Sequence, residues 1–135
     1  TLQTVCSKIF PRKSICYTLA AILLCLGIFI YAEIFLNRQF EEFSNALDTL
    51  YTKVENRTAT PEDGYAVRTM WNDKKSKLQI LVPHNDISYV DYWLSECCGL
   101  LYNDEFELAL GKVEVLKEIA KNLPQTYSIK VENIL

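Results

Sequence analysis

The apolar residues of this chain change their spacing along its length. From Ile15 to Ala32 there are 18 uncharged residues in a row. At 1.5 Å per residue such a run reaches about 27 Å, and Ile34, Phe35 and Leu36 carry it past Glu33, enough to cross a hydrocarbon core of roughly 30 Å. The pattern predicts a transmembrane helix over residues 15–36. Beyond it Phe40, Phe43, Leu47, Leu50, Tyr51 and Val54 recur at steps of three and four. That period predicts an amphipathic helix continuing from the span without a break.

Residues Asn56-Arg57-Thr58-Ala59-Thr60 interrupt the pattern. Thr60 followed by Pro61, Glu62 and Asp63 is a helix start: the threonine caps free amides, the proline needs no donor in the first turn, and the acids oppose the helix dipole. A second helix is expected from Pro61 to about Val82, burying Val67, Trp71, Leu78 and Leu81 and stopped by Pro83. Asn85 reads as the cap of a third, with His84 and Tyr89 at the positions of a hydrophobic staple and Ile87, Val90, Leu94, Cys97 or Cys98, and Leu101 as its buried stripe. After a break at Asn103-Asp104, a fourth helix carries Phe106, Leu110, Val113, Leu116, Ala120 and Leu123, tolerates Gly111, and has Pro124 just beyond its end.

Short connections between helices of similar length favour antiparallel neighbours. The expected fold is all-α: an N-terminal transmembrane helix continuing into an extracytoplasmic up-and-down four-helix bundle. The predicted organisation is a cytoplasmic segment 1–14, an anchor 15–36, a bundle 37–123 and an extended tail 124–135. The third and fourth helices have some features of a tetratricopeptide hairpin, but one degenerate unit is no array, and they read as a plain αα-hairpin.

The tail has a different period. Tyr127, Ile129 and Val131 alternate with Ser128, Lys130 and Glu132 before Asn133-Ile134-Leu135. A lone strand is unstable in water, so Ile129, Val131, Asn133, Ile134 and Leu135 are the expected interaction residues, either in a groove of their own bundle, the favoured reading, or on a partner.

Charge sets the orientation. Lys8, Arg12 and Lys13 precede the span with no acid among them, while residues 37–55 hold Arg38 and Lys53 against Glu41, Glu42, Asp48 and Glu55. The positive-inside rule places the N-terminus in the cytoplasm and the bundle outside the cell membrane. A cleaved signal peptide is the rival, but its apolar core is usually about 7 to 15 residues and ends at small residues, which Ile30-Tyr31-Ala32-Glu33 supplies poorly. A lipoprotein reading through Cys25 meets bulky Leu24 where a small residue is needed. Residues 37–135 carry 11 Lys and Arg against 16 Asp and Glu, a net −5 with the signs interspersed. Nucleic acid is therefore not an expected partner, and no electrostatic attraction holds the bundle to an anionic bilayer.

Candidate chemistry is sparse. His84, the single histidine, could serve as a general base beside Asp86 and Asp91, but no nucleophile motif, P-loop, HExxH, GxGxxG or CxxC accompanies it, and a capping or staple role is the simpler reading. The acids Asp104, Glu105 and Glu107 sit at a helix start, where they oppose its dipole. Cys97 and Cys98 read as small apolar packing residues; a metal would need more ligands than the chain offers. No cofactor is implied. Asn56-Arg57-Thr58 matches a glycosylation acceptor, a pattern common by chance.

Several segments together carry a resemblance: Trp71, Leu81-Val82-Pro83-His84-Asn85-Asp86-Ile87, Tyr102 with Phe106-Glu107-Leu108-Ala109-Leu110, Leu123-Pro124, and Val131-Glu132-Asn133-Ile134-Leu135. The pattern resembles an uncharacterised family of clostridial and related Gram-positive bacteria, catalogued as domain of unknown function 4363. The resemblance implies a single N-terminal membrane helix, a helical domain and, in some members, a neighbouring gene for a multi-pass membrane protein; it implies no activity. Pro83, where an acid is common, and the paired cysteines depart from it. The expected function is a membrane-anchored interaction module engaging another membrane or envelope protein. The alternative is an extracytoplasmic ligand sensor, disfavoured because residues 1–14 are too short for an output domain, or an enzyme, disfavoured because the helices place their polar residues on outer faces rather than around a pocket.

Overall fold

A computed structural model of the chain describes residues 12–128. These residues form four helices: α1 (Arg12–Glu55), α2 (Pro61–Leu78), α3 (His84–Tyr102) and α4 (Phe106–Tyr127). The chain divides between Ile34 and Phe35 into two compact units, although α1 passes through the division as one helix.

In the first unit, α1 exposes its apolar residues in every direction. Leu19, Ile22, Leu23, Leu26, Ile28 and Ile30 are all exposed, Leu23 by 69 %. The helix is long and apolar enough to cross a membrane, and only 6 % of its most apolar 18-residue window is buried. The Thr18 hydroxyl donates to the Ser14 carbonyl at 2.9 Å, satisfying itself on the helix's own backbone.

In the second unit, burial follows one seam per helix. Leu36, Phe40, Phe43, Leu47, Leu50 and Val54 of α1 alternate steps of four and three. Gly64, Val67, Trp71, Lys74 and Leu78 of α2 do the same, as do Ile87, Val90, Leu94, Cys97 and Leu101 of α3, and in α4 Ala109, Val113, Leu116 and Ala120 keep the alternation before a final step of four to Pro124. A repeat of 3.5 keeps an apolar seam turned to its neighbours in a bundle of gently inclined helices. Cross-links fix the order. Lys53 meets Asp63 at 2.6 Å while Lys74 meets Glu42, so α1 and α2 are antiparallel. Lys117 reaches Asp48 at 2.9 Å, and the Tyr51 hydroxyl reaches Glu114 at 3.4 Å, which sets α4 antiparallel against α1. Lys112 to Glu96 at 2.8 Å, together with Tyr127 to Asp86, does the same for α3 and α4. The fold is the expected up-and-down bundle.

Both turns at one end use the same device. After α1, Arg57 takes a left-handed φ of 55°, Thr58 N–H donates to Lys53 O at 2.8 Å and Arg57 N–H to Val54 O at 3.0 Å. After α3, Asp104 takes φ 58°, with Glu105 N–H on Leu100 O at 2.9 Å and Asp104 N–H on Leu101 O at 3.2 Å. Each is a Schellman motif with a non-glycine residue in the left-handed position. At the start of α2 the Asp63 carboxylate accepts the Thr60 backbone N–H at 2.9 Å and its hydroxyl at 3.2 Å, while the Asp63 N–H donates to the Thr60 carbonyl at 3.1 Å.

Three expected boundaries move. α2 ends at Leu78 rather than Val82: Pro83 forces the residue before it out of the helical region, so the chain unwinds earlier and Val82, not Leu81, is fully buried. α3 starts at His84 with Pro83 as its N-cap residue, and Asn85 does not cap it. The positions flanking that cap are then Val82 and Ile87, both buried, so they take the staple position expected of His84 and Tyr89, which are exposed. Pro124 lies inside α4, which runs on to Tyr127, so the helix reaches into the segment expected to be extended from 124. Proline gives up one hydrogen bond to the fourth preceding residue, but its ring fills the seam, and Ser128 N–H still bonds Pro124 O at 2.9 Å. Residues Ile129, Val131, Asn133, Ile134 and Leu135 lie outside the described residues.

Candidate functional site

The seam of α2 contains two polar groups. Trp71 is fully buried against Phe43, ring centroids 4.8 Å apart, and its indole N–H donates to Asp91 Oδ1 of α3 at 2.8 Å. Lys75 closes on the same carboxylate at 3.0 Å. One turn on, Lys74 occupies a seam position at 8 % exposure and donates to Gln39 Oε1 at 3.0 Å and to Glu42. Glu42's carboxyl is held below its ordinary value chiefly by that lysine. A lysine at a seam position paired by two α1 residues fixes which turn of α1 faces which turn of α2, because a slip would leave a buried cation unpaired. This pairing is structural in its effect.

A different surface carries an aromatic cluster. On α3, Tyr89 and Tyr92 each make a T-shaped contact with Trp93, ring centroids 5.9 and 5.4 Å apart. Lys112 of α4 stands 4.6 Å from the Trp93 ring centroid and also pairs with Glu96, so cation–π and ionic contacts lock the aromatic group. The Lys112 and Tyr92 hydrogen bonds hold the Glu96 carboxyl below its ordinary value. Tyr89 and Tyr92 are 54 % and 53 % exposed, so the cluster is held by its own contacts yet open to its surroundings.

Beside it runs a groove of about 500 Å³, lined by Asp86 and Tyr89 of α3 and by Gly111, Glu114, Val115, Glu118, Ile119, Asn122, Leu123 and Thr126 of α4. Val115, Ile119 and Leu123 are half-buried and follow one another at four-residue steps, an apolar stripe along the floor. The rim is acidic. At one end the Tyr127 hydroxyl donates to Asp86, which raises the pKa of the phenol and latches the last turn of α4 to the first turn of α3.

His84 is exposed, and its Nε2 stands 3.4 Å from the Ser88 hydroxyl one turn away; no acid is bonded to it among the described residues. Asp86 and Asp91 are engaged by Tyr127 and by Trp71 with Lys75 respectively. The expected interaction residues of the tail lie outside the described residues, so the aromatic cluster is the feature that the sequence reading missed. Its signal was there in Tyr89, Tyr92 and Trp93, but only the pairing of α3 with α4 brings Lys112 over the indole.

Cys97 and Cys98 are both buried. Burial pushes the Cys97 thiol up to about 12 and raises Cys98 as well, so both stay neutral at physiological pH and pack as small apolar groups. Cys98 Sγ would stand 3.3 Å from a Cβ on Gly64, and Leu101 Cδ1 3.0 Å, which is why α2 carries glycine where it crosses α3. Among the described residues no three His, Cys, Asp or Glu side chains converge on a point that could hold a metal ion.

No curated protein and no solved structure matches the chain. The model of a domain of unknown function, DUF4363, matches residues 34–134, a span that starts where the bundle starts and continues past the last described residue. The chain therefore belongs to the DUF4363 family.

Proposed function

We propose that the protein is a single-pass, membrane-anchored helical interaction module whose bundle lies outside the cytoplasm and engages another membrane or envelope protein. One observation carries the anchor: between Ile15 and Ile34 the apolar side chains of α1 are exposed around the whole helix. A helix apolar on every side is stable only where its surroundings are apolar. Arg12 and Lys13 before the run support the inward orientation of the N-terminus. The aromatic cluster of α3 supports the interaction role. Tyrosine and tryptophan held rigid and half-exposed supply contact area at little cost in side-chain freedom, and such residues dominate interface energetics.

Impermeant maleimide applied to intact cells tests the topology. Asn56→Cys should label without permeabilisation, while the wild-type chain, whose remaining thiols are in the span, in the core or on the cytoplasmic side, should not. Labelling of Asn56→Cys only after permeabilisation would overturn the orientation. A photo-crosslinker at Tyr92 should capture a membrane or envelope protein, and capture equal to that from a crosslinker at Asp104, at the end of the bundle, would remove the aromatic face from the proposal.

A further inference from the structure

We propose that the turn between α2 and α3 is a second membrane contact of this protein, in which Ile80 enters the bilayer interface and Lys77 stays among the lipid headgroups; the contact rests on the anchoring of α1 in a bilayer. Ile80 is 85 % exposed, more than any other large apolar residue among the described ones, those of the apolar run included. Its neighbours Leu78 and Val82 are buried and Leu81 packs against the core, so the turn is held firmly and Ile80 is its projecting tip. The register of the bundle places this tip. Lys53 pairs with Asp63 and Glu42 with Lys74, so α1 goes back by as many residues as α2 advances. Carried on at the same helical rise, that pairing sets Ile80 level with Leu36. The Leu81 and Val82 amides still bond Leu78 O, so the chain advances as a helical turn over this stretch. Leu36 opens the buried seam of the bundle and stands two residues after Ile34, the last residue of the apolar unit.

Charge separates the two ends of the bundle. From Lys74 to Asn85 there is no acid, although acids outnumber bases in residues 37–135. The turn between α3 and α4, at the opposite end, carries Asp104, Glu105 and Glu107 instead. Carboxylates are repelled by lipid phosphates and costly to bring against hydrocarbon, so the acid-free tip is the end that suits a lipid surface. Lys77 is exposed and stands three residues before Ile80, on the same side of the turn. Its long stem lets the ammonium reach the phosphates while the isoleucine goes deeper. The attraction is chiefly apolar, so it operates on a zwitterionic bilayer despite the net negative charge of the bundle.

Quenching by lipid tests the contact in the full-length chain reconstituted into phosphatidylcholine vesicles. A fluorescent amino acid is introduced in place of Ile80 or, as the control, in place of Leu108, which is also exposed and lies at the opposite end of the bundle. After flotation, vesicles brominated on the upper acyl chains are compared with unbrominated ones. Brominated lipid should quench the probe at Ile80 at least about two-fold more strongly than the probe at Leu108, whichever way the chain has inserted. Equal quenching in floated protein would overturn the contact and leave the anchor standing. A chain that does not float would overturn the anchor and the contact with it. With the probe moved to Gln79, Ile80→Asp should lower the quenching to the level found at Leu108, and because Ile80 is exposed this substitution leaves the core untouched. Quenching unchanged by Ile80→Asp would count equally against the assignment.

Discussion

One helix, α1, contains both kinds of apolar surface found in this protein. Before Ile34 its large aliphatic residues point in every direction and are exposed, as at Leu23; after Phe35 they occupy a single seam, and Leu47 is fully buried. The backbone is the same in both halves and the apolar content of each is substantial. What differs is the angular distribution, which decides whether a helix needs a lipid solvent or the other helices of a bundle. The comparison also shows where polarity is tolerated. In the first half Thr18 turns its hydroxyl back onto Ser14 O, whereas in the second half Gln39 and Glu42 reach across to a buried lysine.

The comparison breaks most readily at the core. Trp71→Ala should destabilise the bundle by about 3 to 5 kcal/mol, since it removes a fully buried indole and takes one of its two donors from Asp91, leaving that carboxylate to Lys75. Thermal or denaturant unfolding measures this, and a cost below about 0.5 kcal/mol would mean that the seam is drawn wrongly. A smaller effect sits at the cap. Asp63→Asn should cost about 1 kcal/mol at neutral pH, the ordinary worth of a helix cap. Hydrogen bonds from Lys53 and then from the Thr60 amide hold the Asp63 carboxyl below its ordinary 3.8. Because the folded value is the lower one, this stabilisation is complete above the unfolded value and vanishes as pH falls through the folded one. The wild type should therefore begin to lose its advantage over Asp63→Asn as pH falls below about 4; an advantage undiminished by further acidification would contradict the cap.

Glycines refine the picture further. Gly99 has open space where a Cβ would stand, so Gly99→Ala should stabilise α3 by about 0.5 to 1 kcal/mol. Gly64→Ala meets Leu101 and Cys98 and should fall short of that gain by about 1 kcal/mol or more. Equal shifts in melting temperature for the two would show that α2 and α3 approach less closely than described. The smallest effect belongs to His84→Ala, expected within about 0.5 kcal/mol because the ring is exposed and its near neighbour is a serine hydroxyl.

Much of this was legible in the chain because seam residues announce themselves by their spacing. Phe40, Phe43, Leu47, Leu50 and Val54 are buried as their period requires, and the break at Asn56 to Thr60 falls where the turn residues put it. Lys74 was not legible as a core residue, since beside Lys75 and Lys77 it reads as one more surface cation. Its position between Trp71 and Leu78 on the three-and-four repeat was the available signal. The proline boundaries misled for a physical reason. Pro83 acts on the residue before it as well as on its own, and Pro124 sits in a last turn where one lost hydrogen bond is tolerated. The groove and the aromatic cluster were hidden because each needs two helices, and a period within one helix does not reveal which faces will pair.

Paired charge insertion tests most directly the proposal that the two halves of α1 face different surroundings, lipid before Ile34 and the bundle after it. In cells, extraction of membranes at alkaline pH separates integral from peripheral chains, and unfolding of the purified proteins reports the bundle. Leu23→Lys with Ile28→Lys should move the chain out of the membrane fraction while the bundle unfolds at its usual midpoint. Leu47→Lys should leave the chain membrane-bound with the bundle's cooperative unfolding abolished. Retention of the double variant in the membrane, or loss of the bundle's stability in it, would contradict the division of α1 at Ile34.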